Sequence, residues 1–166
     1  MHTIFREEAQ ACNSRLDVGE QSRSRAADAL DAMVSDCWAA RRDEAHRCLL
    51  LAERAMPIAQ ELRDIHAQAT ILLASANARA SWRQFSEATA LCQEAHYLAL
   101  ALEADRLEGW RLAIWAEIQF GMGNAKLGEV SLGEARAAMS GQGDFESLAE
   151  LEQIFAPQES AQKQAI

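Results

Sequence analysis

Long hydrophobic runs are missing from this sequence, and so are most of the residues that build sheets. Val and Thr occur three times each and Tyr once. β-Branched and aromatic side chains fill pleated surfaces, so a chain this poor in them, and this rich in Ala, is predicted to be all-α. Only two prolines and eight glycines are present, which leaves little room for long structureless segments. No stretch approaches the ~18 consecutive apolar residues of a membrane helix, and "MHTIFREEAQ" has no apolar core of a signal peptide. A cytoplasmic protein without a membrane partner is expected.

Excess positive charge is also lacking. The net charge is -9, whereas nucleic-acid binders show a basic face, so no nucleic-acid partner is expected. Residues 1–63 carry nine Arg and Lys against eleven Asp and Glu; residues 64–166 carry seven against fourteen. That acidity suits either a basic or neutral partner or a merely solvated surface. The four cysteines, Cys12, Cys37, Cys48 and Cys92, form no CxxC pair or regular framework and read as reduced thiols.

What the chain does have is an echo. "FSEATALCQEA" (85–95) contains Glu-Ala twice, and related stretches stand on either side, "DEAHRCLLLAE" (43–53) and "GEVSLGEA" (128–135). Matching Glu44-Ala45 to Glu87-Ala88 gives a shift of 43 and carries Ala52 onto Ala95 and Leu49 onto Cys92. Matching Glu94-Ala95 to Glu134-Ala135 gives a shift of 40 and carries Ala88 onto Gly128 and Cys92 onto Leu132. Each unit has two small residues seven apart with a mid-sized apolar residue between them. Seven residues are close to two helical turns, so all three lie on one face, where a neighbouring helix can approach closely. Leucine at Ala88 would overpack that seam by roughly 1–3 kcal/mol.

Helical apolar periodicity precedes each echo, in residues 25–40, 64–80 and 106–122, with the breaks "RRD", "SWRQ" and "GN" between. Helix, tight turn, helix, repeated about every 40 residues, is the pattern of an α-solenoid. An N-terminal helix is expected over 3–17 and a last helix over 144–155, N-capped by Asp144 with Glu146 in its first turn. One domain would span 1–156, with 157–166 a polar tail or linker beginning at Pro157.

The units resemble tetratricopeptide repeats of the longer type, about 40 residues, found in bacterial regulatory proteins. Ala45, Ala88 and Gly128 match the family's small residue early in the second helix, and Ala52, Ala95 and Ala135 its later alanine. Pro57 falls where the family has a proline after the second helix, and Phe85 where it has an aromatic. Leu72 and Leu112 match large apolar positions of the first helix; Ala76 and Ala116 match its glycine. Met33 departs from that glycine; Asp36, Arg79 and Gln119 depart from an expected aromatic; and Leu100 and Ser140 stand in place of the proline. The matches cover residues 25–140, and a generic helical bundle or another αα-repeat is the alternative.

The resemblance implies a right-handed α-solenoid of about three repeats with flanking terminal helices. It also implies that the first helices line an inner groove, with Val34, Leu73, Asn77, Trp110, Glu117 and Phe120 facing a protein or peptide partner. The competing expectation is that the protein's own terminal helix fills the groove. Repeats of this type often precede an output domain, and "AQKQAI" is similar to linkers leading into diguanylate cyclase domains. Homodimerisation through an exposed apolar edge is the other functional class.

No catalytic pattern competes with these readings. "GMGNAKLG" lacks the spacing of a phosphate loop, and neither HExxH nor GxSxG occurs. Cys92 and His96 share a helix face but amount to two ligands, too few for a metal site. His46 and His66 read as surface or boundary residues. Glu7-Glu8 and Asp43-Glu44 are adjacent and diverge on a helix, so solvated faces explain them better than acid–base work. A non-enzymatic chain without a cofactor is expected.

Overall fold

A computed structural model describes the backbone of residues 2–102 and 105–164, and the side chains of residues 21–102 and 107–156. Among the described residues there are seven helices and no strand: α1 His2–Ala40, α2 Ala45–Leu62, α3 Ile65–Ser81, α4 Phe85–Leu102, α5 Asp105–Gly121, α6 Ala125–Gly141 and α7 Phe145–Gln164. From α2 onward each helix begins twenty residues after the last.

A repeated turn sets that interval. Four helices end with one residue in the left-handed region: Arg63 (φ 58°), Arg83 (φ 60°), Gly123 (φ 85°) and Gly143 (φ 69°). At each, the left-handed residue's N–H donates three residues back, and the next N–H donates five residues back. The pairs are Arg63 to Gln60 and Asp64 to Ala59, Arg83 to Ala80 and Gln84 to Arg79, Gly123 to Phe120 and Asn124 to Gln119, Gly143 to Ser140 and Asp144 to Met139. This is the Schellman arrangement, which satisfies the last carbonyls of a helix. The residue completing it immediately opens the next helix. Asp64 Oδ1 accepts from the Ala67 N–H at 2.8 Å and Asp144 Oδ1 from the Ser147 N–H at 3.2 Å, two side-chain N-caps.

The α1–α2 turn differs: its bonds run from Arg41 N to Trp38 O and from Glu44 N to Ala40 O. The register of the first unit also needs a correction. The buried face of α2 is Ala45, Cys48, Ala52, Ala55 and Ala59; that of α4 is Ala88, Cys92, Ala95 and Ala99; that of α6 includes Gly128, Leu132, Ala135 and Met139. A uniform shift of 40 superposes the last four of the first set on the others, so 43 is the wrong shift there. Three residues are close to one helical turn, so the slipped alignment still matched a buried face with a buried face.

Three boundaries also differ from the sequence expectation. The segments 3–17 and 25–40 belong to one helix, α1. Pro57 lies inside α2, on its exposed side, where water can reach the carbonyl that its missing N–H leaves free. The last helix continues past Phe155 to Gln164. The expected Asp144 start, with Glu146 in the first turn, is found.

α3 is the central element. It packs against α1, α2, α4 and α5, and it is buried without a break from Ile71 to Ala78. A helix apolar on all sides has neighbours on all sides. The core has two parts, one from α1, α2 and α3 and one running from α3 to α7; Trp38 and Met56 pack against both. No helix among the described residues is long and apolar enough to cross a membrane.

Candidate functional site

The odd-numbered helices α1, α3 and α5 touch one another in sequence, α1 against α3 and α3 against α5. Between them opens a cleft of about 350 Å³. Val34, Trp38, Ala67, Leu107 and Trp110 supply its apolar lining; Asp31, Ser35, Asp64, His66 and Thr70 supply the polar groups. Thr70 Oγ1 donates to the His66 carbonyl at 2.9 Å, which turns its methyl away from that bond. No Lys or Arg is among the lining residues.

Two tryptophans form one wall. The Trp38 and Trp110 rings meet edge to face, with centroids 5.2 Å apart and planes at 80°. Behind them lies Arg41, a buried cation whose Cζ stands 4.1 Å from the Trp38 ring centre and 5.1 Å from that of Trp110. Its Nη1 donates to the Trp38 carbonyl at 2.6 Å, and its Nη2 pairs with Glu150 of α7. Burial lowers the Arg41 pKa below the ordinary guanidinium value, and the Glu150 carboxylate works against that. The tryptophan wall is thus braced from behind by an ion pair to the last helix.

α7 closes the rest of this face. Trp110 Nε1 donates to Ser147 Oγ at 3.1 Å, and the Phe120 and Phe155 rings lie 6.0 Å apart. Below Trp110, a recess of about 10 Å³ is lined by Arg41, Arg42, Asn77, Glu117, Ile154 and Phe155 among others. Asn77 Nδ2 donates to Glu117 Oε2 at 2.7 Å, and Arg42 Nη1 reaches the same oxygen at 3.3 Å.

The six sequence-predicted groove residues therefore divide. Val34 and Trp110 line the open cleft. Asn77 and Glu117 bond to each other in the recess beneath α7. Leu73 lies in the core, and Phe120 packs onto Phe155 and against Gly128. Trp110 belongs to both the cleft and the recess and separates them.

Neither Arg41 nor Trp38 is among the groove residues expected from the sequence. Arg41 follows Trp38 by three residues, a spacing at which helical side chains meet, so that pair had a local signal. Nothing local pairs Trp38 with Trp110.

Elsewhere, His96 reaches α5: its Nδ1 lies 3.1 Å from Glu108 Oε2, and Glu108 also accepts two bonds at 2.7 Å from Arg111. Burial pushes the Cys92 thiol up to about 12, against the pull of the Arg111 charge. Among the described residues no group of three or more His, Cys, Asp or Glu stands together as metal ligands. The Cys12 and Glu7-Glu8 side chains lie outside the described residues.

No protein-family model matches this chain, and no curated protein or solved structure matches it either.

Proposed function

We propose that the chain is a non-catalytic interaction module that holds a peptide or partner helix in the cleft between α1, α3 and α5. The observation that carries this reading is the cleft itself: a concave, mainly apolar surface with a braced Trp38–Trp110 wall and a few polar groups at its edge. Such sites bury an apolar anchor and fix its orientation with sparse hydrogen bonds. The finer reading is a TPR-like right-handed solenoid serving as the regulatory region of a bacterial signalling protein, such as a diguanylate cyclase. It draws support from the even helix spacing and from the family matches in the sequence.

The test is to pan a random peptide library on the purified chain and measure affinities of enriched peptides by calorimetry. Micromolar binders that weaken at least about tenfold on Thr70→Arg, which fills the cleft, would support the reading. Absence of enrichment, or binders indifferent to Thr70→Arg, would defeat it.

Homodimerisation is favoured by a different observation. Tyr97 and Leu100 on α4, and Leu127 and Val130 on α6, are exposed apolar side chains. Light scattering across a concentration series separates the two: a stable dimer whose mass halves on Tyr97→Glu or Val130→Glu makes self-association the function.

A further inference from the structure

Cys37 lies near the end of α1 and Cys48 in the first turn of α2, eleven residues apart. The short α1–α2 turn brings them face to face. Both thiols are fully buried, and their sulfurs stand 3.4 Å apart. Cys37 Sγ is also 3.4 Å from the Cys48 carbonyl oxygen. A disulfide needs an S–S distance of about 2.0 Å, so the two sulfurs stand roughly 1.4 Å from bonding distance.

We propose that Cys37 and Cys48 form a dithiol that closes to a disulfide, a redox modification site joining α1 to α2. The chemistry of the pair is asymmetric in the way exchange requires. A hydrogen bond from the Cys48 thiol holds Cys37 below the ordinary thiol value, against the effect of burial, while Cys48 is pushed up. The Arg41 charge pulls Cys48 the other way but is outweighed by burial and by the Cys37 sulfur. Cys92, by contrast, is raised by burial on a different helix.

The oxidant is a low-molecular-weight disulfide. The Cys37 thiolate attacks one of its sulfurs, forming a mixed disulfide and releasing one small thiolate, which takes up the Cys37 proton. Cys48 then loses its proton, attacks the Cys37 sulfur and expels the second small thiol. Two protein thiols are oxidised, and one small disulfide is reduced to two thiols. Because the sulfurs are buried, exchange proceeds as the hairpin opens. The product clamps α2 to the segment that carries Trp38 and Arg41.

The experiment uses the full chain, equilibrated in buffers of reduced and oxidised glutathione. One set is held unfolded in denaturant; the other is refolded by dilution, so access to the buried sulfurs limits neither. Free thiols are alkylated and linkages mapped by proteolysis and mass spectrometry. A Cys37–Cys48 linkage is expected, with Cys12 and Cys92 alkylated. The disulfide-to-dithiol ratio should be at least about tenfold higher in the folded set than in the unfolded one. Cys37→Ser and Cys48→Ser should each abolish the linkage, and Cys92→Ser should leave it unchanged. An equal or lower ratio in the folded chain, or dominant pairing with Cys12, Cys92 or glutathione, would overturn the proposal.

Discussion

Phe120 occupies the space that a side chain on Gly128 would need: a Cβ at Gly128 would stand 2.6 Å from the Phe120 ring. This contact seats α6 on α5, and it explains why the small position of the third unit is glycine where the second has Ala88. Gly128→Val should lower stability by about 1–3 kcal/mol, through a displaced ring and strain. Gly133, five residues along the same helix, is exposed and has nothing within 4 Å. Gly133→Ala should raise stability by roughly 0.5–1 kcal/mol, since only the backbone-entropy cost of glycine is removed. Urea denaturation of both variants checks the opposite signs.

Four Schellman turns share one geometry, yet two carry arginine where the chain is left-handed. An L side chain costs roughly 1 kcal/mol there, and glycine does not. Arg83→Gly should therefore stabilise by up to about 1 kcal/mol, and Gly123→Ala should destabilise by about 1–2 kcal/mol. Thermal melts that moved the other way would remove the left-handed residue as the determinant of these turns.

Arg41 and Glu150 differ in exposure, the first buried and the second at the surface. Removing the buried cation and removing its partner are thus unequal changes. Glu150→Ala leaves a guanidinium in the core without its carboxylate and should cost about 2–3 kcal/mol. Arg41→Met replaces the charge with an apolar chain of similar length between two tryptophans and should cost less than about 1.5 kcal/mol. Equal losses would show that the ion pair is not what holds α7 at the tryptophan wall.

Acid should weaken the α4–α5 contact. Burial opposes the Glu108 charge, but hydrogen bonds and charge from Arg111, with His96 adding to them, outweigh it and hold the carboxyl below its ordinary value. A carboxylate with a lowered folded pKa stabilises the fold above its unfolded value, near 4.5, and loses that contribution as pH falls through the folded value. Glu108→Gln should be less stable than the parent at pH 7, and the gap should narrow below about pH 4.5. A gap independent of pH would mean that packing, and not charge, accounts for the residue.

Helix content was legible because Ala-rich seams at helical spacing state both the element and its buried face. The turns at 82–84 and 122–124, and the Asp144 cap, were legible from local chemistry. Register in the first unit was not: Glu44-Ala45 stands at the very start of α2, whereas Glu87-Ala88 lies within the first turn of α4, so identical letters marked different places. The even spacing was hidden because Arg63 and Arg83 do the work of glycine. As for the cleft, Trp110 was placed there by the register that the resemblance implies. Its meeting with Trp38, Arg41 and Ser147 depends on three helices arriving together, a relationship no local pattern carries.

The twenty-residue interval bears on how such a chain changes length. A forty-residue segment cut at equivalent turns, such as Asn124 and Gln84, begins and ends on the same hydrogen-bond pattern, on helices with the same buried face. Copying or losing it joins like to like. A twenty-residue segment would instead exchange the roles of odd and even helices, putting a helix such as α3, buried from Ile71 to Ala78, where α2 or α4 presents an open flank. A length change of forty residues therefore keeps each helix in its own role, and one of twenty does not.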